Sequence, residues 1–224
     1  MVSYLEYIFY ILQVRIMHTP GTDVKGAPRD RRVAQGVATR DALLSAAREL
    51  FGTRGYADTA ADDIVKRAGV TKGALYHHFA GKEAVFRAVV EQVQQEASDR
   101  AVAAFLGDDS WVALVQGCGL WVDAHLDPAV QRILMQDARA VLGWEEARAI
   151  ENRFGAVALR GALRKAMTAG VVRRVPLRPL SLMLMGALSE ACLSIAEADD
   201  PPRTRGEVDD LLTAMLGAFH VTDA

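Results

Sequence analysis

An all-α fold is predicted for this 224-residue chain by three features of its sequence. Hydrophobic residues make up 51 % of it and aromatics only 7 %, with Ala and Leu dominant. Such residues lose little conformational freedom on entering a helix. Strand formers occur only in short runs such as Val171-Val172. Apolar positions instead recur every three or four residues, between breaks carrying Gly or Pro.

The elements follow in order. Tyr4–Met17 is apolar and aromatic, interrupted by Glu6 and Arg15. It is too short to span a bilayer as a helix. No basic leader precedes it and no A-x-A site closely follows, so a secretion signal is not expected. Two readings stay open: a true start at Met17, or an extra helix packed on the body. His18–Gly36 is rich in Gly, Pro and Arg and reads as a flexible basic arm. The first helix is predicted from about Thr39, as N-cap, to Arg54, with Gly55 as its stop. Leu43, Leu44, Ala47, Leu50 and Phe51 form its apolar stripe. The second runs from about Ala60 to Ala68, with Thr59 and Asp62 as a capping-box-like start and Gly69 as the end. Val70 and Thr71 make a turn, and a short third helix covers Lys72 to Phe79. A fourth opens at Gly81-Lys82 and continues to about Phe105. Gly107-Asp108-Asp109-Ser110 is a loop with Ser110 as cap, followed by a helix from Trp111 to Leu126. Pro128 begins the next, which ends near Gly143. A long helix spans Trp144 to Ala169, closed by Gly170. Pro176 and Pro179 open another, reaching Ala198. Asp199-Asp200-Pro201-Pro202 is a break, and the last helix runs from about Arg205 to Phe219. No internal repeat and no membrane span is expected.

The net charge of −2 is unevenly spread. Arg29 to Lys82 holds ten Lys/Arg against six Asp/Glu, a net of +4, so the remainder carries −6. A basic front and an acidic rear suit a protein that meets phosphate with one end. Two distant cysteines, Cys118 and Cys192, make no disulfide framework and read as buried thiols in a reducing cytoplasm. No G-x-S-x-G, H-E-x-x-H, phosphate loop or dinucleotide fingerprint is present, which argues against an enzyme. Neither a cofactor nor a metal is expected. His77 and His78 are adjacent, diverge around a helix, and have no third ligand in view.

Thr59 to Lys82 reads TAADDIVKRAGVTKGALYHHFAGK. A two-turn helix, a Gly turn and a second short helix make helix-turn-helix geometry. At about 100° per residue, Lys72, Gly73, Tyr76, His77 and Ala80 share one face of the second helix. Thr71, Leu75, His78 and Phe79 share the other. One face is small and polar, fit to enter a major groove, and the other is largely apolar, fit for a core. His77 is therefore expected to face DNA and His78 the protein.

The stretch AARELFGTRGYADTAADDIVKRAGVTKGALYHHFAGKEAVF resembles the DNA-binding domain of the tetracycline-repressor (TetR) family. The G-Y-x-x-T element and the D-I-x-x-x-A-G-V-[ST]-K-G-x-L-Y-x-H-F core carry the likeness. It covers about a fifth of the chain. Ala60 stands where the family often has Thr or Ser. The rear matches only in helical layout and length. The resemblance implies DNA contacts by Thr71 and Lys72 at the start of the recognition helix. Gly73 and Ala74 would allow close approach, and Ala74 could meet a thymine methyl. Tyr76 would reach a phosphate, and His77 a base or phosphate. Thr59 and Lys82 would clamp phosphates beside the motif, and Arg40 would add another.

It also implies an N-terminal helix-turn-helix domain (37–84) behind the extension (1–36), then an effector-binding and dimerisation domain (85–224). Trp121, His125, Met135, Trp144 and Phe154 are the candidate ligand contacts, for a small apolar effector. Trp121 and His125 share a helical face and lead that set. Leu182, Met183, Met185, Gly186, Ala187, Ser189, Glu190 and Cys192, with Leu211, Leu212, Met215, Leu216 and Phe219, form the candidate homodimer surface. The function expected is a cytoplasmic repressor, dimeric on a palindromic double-stranded operator and released by its effector.

Overall fold

The computed structural model describes residues 28–221, with side chains from 33 onward. The expectations for Tyr4–Met17 and for most of the arm lie outside them. Helix α1 is Pro28–Arg54, α2 Ala61–Ala68, α3 Lys72–His78, α4 Lys82–Phe105 and α5 Ser110–His125. Helix α6 starts at Pro128–Gln131, widens into a π-turn at Arg132–Asp137 and closes at Ala138–Leu142. Helix α7 does the same, with Trp144–Glu151, a π-turn at Asn152–Ala156, then Val157–Thr168. Helices α8 (Leu177–Ala196) and α9 (Pro201–Gly217) complete the described order.

Several ends differ from the sequence reading, each for a local reason. Helix α1 begins at Pro28, so the end of the predicted arm is helical and Thr39 is interior. The Thr39 hydroxyl donates to the Gln35 carbonyl (2.8 Å), a bond available only inside a helix. Ala60 rather than Thr59 is the N-cap of α2. Asp63 accepts from the Ala60 amide (3.1 Å), one residue later than the predicted Asp62. Asp109 rather than Ser110 caps α5, accepting from the amides of Trp111 and Val112. Pro201 and Pro202 open α9 instead of preceding it, because Asp200 accepts from Arg203 and proline costs nothing in a first turn. The glycine stops hold. Gly69 adopts φ +67°, which folds the chain back between α2 and α3 at no steric cost.

Two cores form. The front one joins Leu43, Phe51, Ile64, Leu75, Phe79, Phe86 and Val89. The rear one joins Phe105, Leu114, Trp121, Leu159, Leu184, Leu188 and Leu212. The front core does not stop at residue 84. Ile133, Leu134, Ala138, Ile150 and Phe154, from α6 and α7, belong to it. Helix α4 supplies both cores along its length. It packs on α5 at Gly117, where a methyl group would overlap the Phe105 ring.

Helix α8 is long and apolar enough to cross a membrane by length and composition, with a mean hydropathy of 1.5. One face, with Leu180, Leu184, Leu188, Cys192 and Ile195, lies in the rear core. Both cysteines are buried and unbridged, and burial pushes each thiol up to about 12. They behave as small apolar groups.

Replacing Gly117 by Ala forces α4 and α5 apart. Overpacking of this kind costs about 1–3 kcal/mol, read as a lower urea midpoint with an unchanged slope.

Candidate nucleic-acid interface and effector cavity

Helix α3 is placed by two buried residues, Leu75 within it and Phe79 at its C-cap. With these fixed, the period of 3.6 decides the rest. Lys72, Gly73, Tyr76, His77 and Ala80 are all exposed, while His78 is half-buried. His78 Cε1 comes within 3.9 Å of where a Cβ on Gly36 of α1 would stand. The angular reading of His77 and His78 therefore agrees with their exposure, although their rings lie only 5.1 Å apart. Thr71 departs from that reading, being exposed on the side expected to face inward. It caps α3 by accepting from the Ala74 amide (3.2 Å), and its O–H stays available as a donor. Ala74 is half-buried.

Lys72 is exposed and pairs with Asp62 of α2 at 2.7 Å. That hydrogen bond and the charge of Asp62 raise the Lys72 ammonium above its ordinary pKa. A phosphate at this position would exchange one anionic partner for another. Arg40 lies with its guanidinium 5.3 Å from the Phe79 ring centre, which brings α1 charge beside the end of α3.

Thr59 and Lys82 are not brought to this face. Thr59 is fully buried, and its hydroxyl donates to the Gly55 carbonyl (2.8 Å). It fastens the corner between α1 and α2 and has no route to a phosphate. Lys82 donates to the Tyr56 carbonyl (2.9 Å), with its ammonium 3.9 Å from the centre of the Tyr56 ring. One sequence signal anticipates this. A cation at the first position of α4 opposes the helix dipole, so it needs a carbonyl partner elsewhere.

The same corner is held from α6. The Tyr56 amide donates to Asp137 (2.8 Å), and Arg132 donates to the Thr53 carbonyl (2.8 Å). Phe51, Tyr56 and Phe86 pack against one another, Phe86 edge-on to the other two, with ring centres 5.0–5.8 Å apart. Sequence reasoning missed Arg132 and Asp137. They lie some eighty residues from their partners, and a π-turn has no simple sequence signature.

A small cavity of about 30 Å³ lies on the other side of that π-turn. Gln94, Met135, Arg139, Trp144, Arg148 and Glu151 are among its lining residues. Of the candidate ligand contacts it brings Met135 and Trp144 together. Trp144 is exposed at its rim, with Arg139 and Arg148 each near its ring (4.7 and 5.5 Å). Phe154 is instead a member of the front core. Trp121 and His125 are buried, are not among the residues lining the cavity, and stack on each other at 3.8 Å. His125 Nδ1 lies 2.7 Å from the Trp121 carbonyl. A carbonyl only accepts, so Nδ1 carries the proton and Nε2 presents a lone pair. Burial lowers the ring to about 4, against the effect of that hydrogen bond, and it is neutral near pH 7.

Residues 43–89 match the bacterial regulatory proteins of the tetR family, and residues 111–219 match a tetracyclin repressor-like C-terminal domain. The crystal structure of a TetR-family transcriptional regulator from Pectobacterium atrosepticum superposes with a TM-score of 0.73. Its identity is 34 %, over 85 % of this chain and 98 % of that one. The HTH-type transcriptional regulator UidR of Escherichia coli is 37 % identical over 71 residues, which is 32 % of this chain and 36 % of UidR. The A-factor receptor protein of Streptomyces griseus is 44 % identical over 59 residues, or 26 % of this chain and 21 % of the receptor. The chain thus spans only about a third or less of the length of these two curated relatives. With a helix-turn-helix whose outward face is polar, and a solved relative matched over nearly its whole length, the chain belongs to the TetR family of DNA-binding transcriptional regulators.

Proposed function

We propose that this chain is a cytoplasmic repressor that holds a palindromic operator as a homodimer and releases it when a small molecule enters the rear helices. The observation that carries this reading is the outward face of α3. Lys72, Gly73, Tyr76 and His77 are all presented to solvent by a helix anchored through Leu75 and Phe79. Phosphate contacts from Arg40, Thr71, Lys72 and Tyr76 would set register and much of the affinity. Lys72, Ala74 and His77 would read base edges.

One seven-residue recognition helix buries too little surface for firm binding, so two copies are needed. The outer faces of α8 and α9 supply a pairing surface. Met183 and Leu211 are 73 % and 63 % exposed, and Met215 is exposed beside them. Gly186 would meet nothing within 4 Å if it carried a methyl group, so the helix backbone is open to close approach. Of the candidate dimer stripes, Met185, Ser189, Cys192, Leu212 and Leu216 are buried within the chain itself. The outward residues are those left for a partner copy.

The π-turn of α6 supports the link between the two ends. Leu134 and Met135 line the cavity, while Arg132 and Asp137 of the same turn hold the corner at Thr53 and Tyr56. A ligand that displaces the first pair shifts the second, and α2 and α3 follow the corner. Release then requires the ligand to favour the displaced arrangement.

The reading is tested with DNA from upstream of the protein's own gene, by gel shift at low salt. Failure of a folded dimer to shift that DNA would overturn it. Lys72→Ala with His77→Ala should lower affinity about a hundredfold, at roughly 1–3 kcal/mol per contact, with dimerisation intact. Met183→Glu with Leu211→Glu should give monomers in analytical ultracentrifugation and abolish tight operator binding. Asp137→Ala leaves the DNA face untouched but frees the Tyr56 amide. It should weaken operator binding about tenfold, the worth of one partly buried charged hydrogen bond. Unchanged affinity would remove the α6 turn from the pathway.

A further inference from the structure

We infer that the effector is a neutral hydroxylated arene, a phenol, that seats its hydroxyl among Gln94 and Ser98 of α4 and Trp121 and His125 of α5. The inference rests on the effector reading above and adds the chemistry of the ligand.

Four buried side-chain atoms on these two helices have no hydrogen-bond partner: Gln94 Nε2, Ser98 Oγ, Trp121 Nε1 and His125 Nε2. All four residues are 3 % exposed or less. Buried polar atoms are nearly always paired, because each unpaired one costs about 1–3 kcal/mol. Four on two helices packed against each other therefore point to a group that comes from outside. Register brings Ser98 opposite His125, with Trp121 one turn nearer Gly117 and stacked on His125. Phe105 of α4 lies against Gly117 of α5, and the two helices run antiparallel. Two turns back from Phe105 is Ser98, and two turns on from Gly117 is the start of the Ala124-His125 pair. Gln94 is one turn further and lines the cavity itself.

The polarity of the four atoms selects the ligand. Trp121 and Gln94 offer N–H donors, and Ser98 offers a hydroxyl. His125 Nε2 offers only a lone pair, since its proton is on the Nδ1 that faces the Trp121 carbonyl. A hydroxyl meets this set. It donates to His125 and accepts from the indole or the amide. A carboxylate has no proton for His125, and it would enter a cavity that already holds Glu151, which accepts a hydrogen bond from Ser189. The arginines that could balance it, Arg139 and Arg148, are out at the rim on Trp144. An ammonium offers no lone pair to the donors. A hydrocarbon leaves every polar atom unmet. The flat body follows from the Trp121–His125 stack, which a third ring can extend.

The cavity that Gln94 lines holds about 30 Å³, room for about one water, and Ser98, Trp121 and His125 are not among its lining residues, so a ring seated against them needs neighbouring side chains to yield. The side chains that would yield are flexible. Met135 lines the cavity, and the Met185 methyl lies beside Gly155 and the Trp121 nitrogen.

The test titrates the full-length dimer with phenol, benzoate and toluene by calorimetry. Phenol should bind at least about tenfold more tightly than either of the others. His125→Phe keeps a flat ring and removes the acceptor, so phenol affinity should fall about tenfold while toluene affinity holds or rises. Should that variant fail to fold, Gln94→Leu provides the same comparison from the donor side. Benzoate or toluene binding as well as phenol, equal phenol binding by the folded variants, or no binding of any probe would overturn the inference. The same compounds added to the operator complex separate the two proposals. Phenol binding without DNA release leaves the site's chemistry standing and removes its role as effector site. Release by benzoate, indifferent to His125→Phe, keeps the effector reading and rejects the arene.

Discussion

Helix α4 belongs to both cores, and the rest of the structure is arranged around that fact. Its first half buries Val85, Phe86, Val89, Val90 and Val93 under the helix-turn-helix. Its second half buries Ala101, Val102 and Phe105 in the rear bundle. At about 1.5 Å per residue its 24 residues span about 36 Å. A rod packed at both ends cannot move at one end alone, because close-packed cores shift between discrete arrangements rather than deform smoothly. Gln94 and Ser98 sit between its two apolar halves, where the packing of one core gives way to that of the other.

The corner at Thr53–Thr59 is the second constraint. Four separate side chains hold it: Thr59 from within, Lys82 from α4, and Arg132 and Asp137 from α6. Backbone groups in a turn need such partners when water is excluded. Here the partners come from elements that also frame the cavity. The orientation of α2 and α3 is thus tied to α6 as well as to α4. Residues that look like DNA contacts from their place in the motif, Thr59 and Lys82, are used to make this joint.

Periodicity made the recognition helix legible. Leu75 and Phe79 must be buried, and a period of 3.6 then assigns Lys72, Tyr76 and His77 to solvent. Glycine ends were legible too, because few other residues accept positive φ at Gly55, Gly69, Gly143 and Gly170. Cap positions were displaced by one residue, as with Ala60 for Thr59 and Asp109 for Ser110. Neighbouring polar residues compete for the same amides, and only the local backbone decides between them. The corner and the buried polar atoms of α4 and α5 were out of reach. Asp137 and Tyr56 meet through tertiary packing, and the burial of Gln94 and Ser98 depends on what α5 brings against them. Phe154 shows the opposite error. An aromatic among cavity-forming helices reads as a cavity residue, yet Phe154 belongs to the front core.

If the small cavity on the α6 turn is the effector site, its size has a thermodynamic consequence whichever ligand fills it. A site with room for about one water cannot admit a larger molecule without repacking its lining, which includes Leu134 and Met135 on the α6 turn. That turn grips the corner through Arg132 and Asp137. Under the proposed function, ligand entry and an undisturbed corner are then competing states of one element. Linkage then makes the effect reciprocal. Whatever factor the ligand takes from operator affinity, the operator takes from ligand affinity. The ligand's intrinsic affinity must also cover the cost of opening, so its apparent affinity is reduced by the fraction of open protein. Loosening the corner lowers that cost. On the proposed function, a change at Asp137 that weakens DNA binding by loosening the corner is expected to tighten ligand binding, although Asp137 itself is not among the residues lining the cavity.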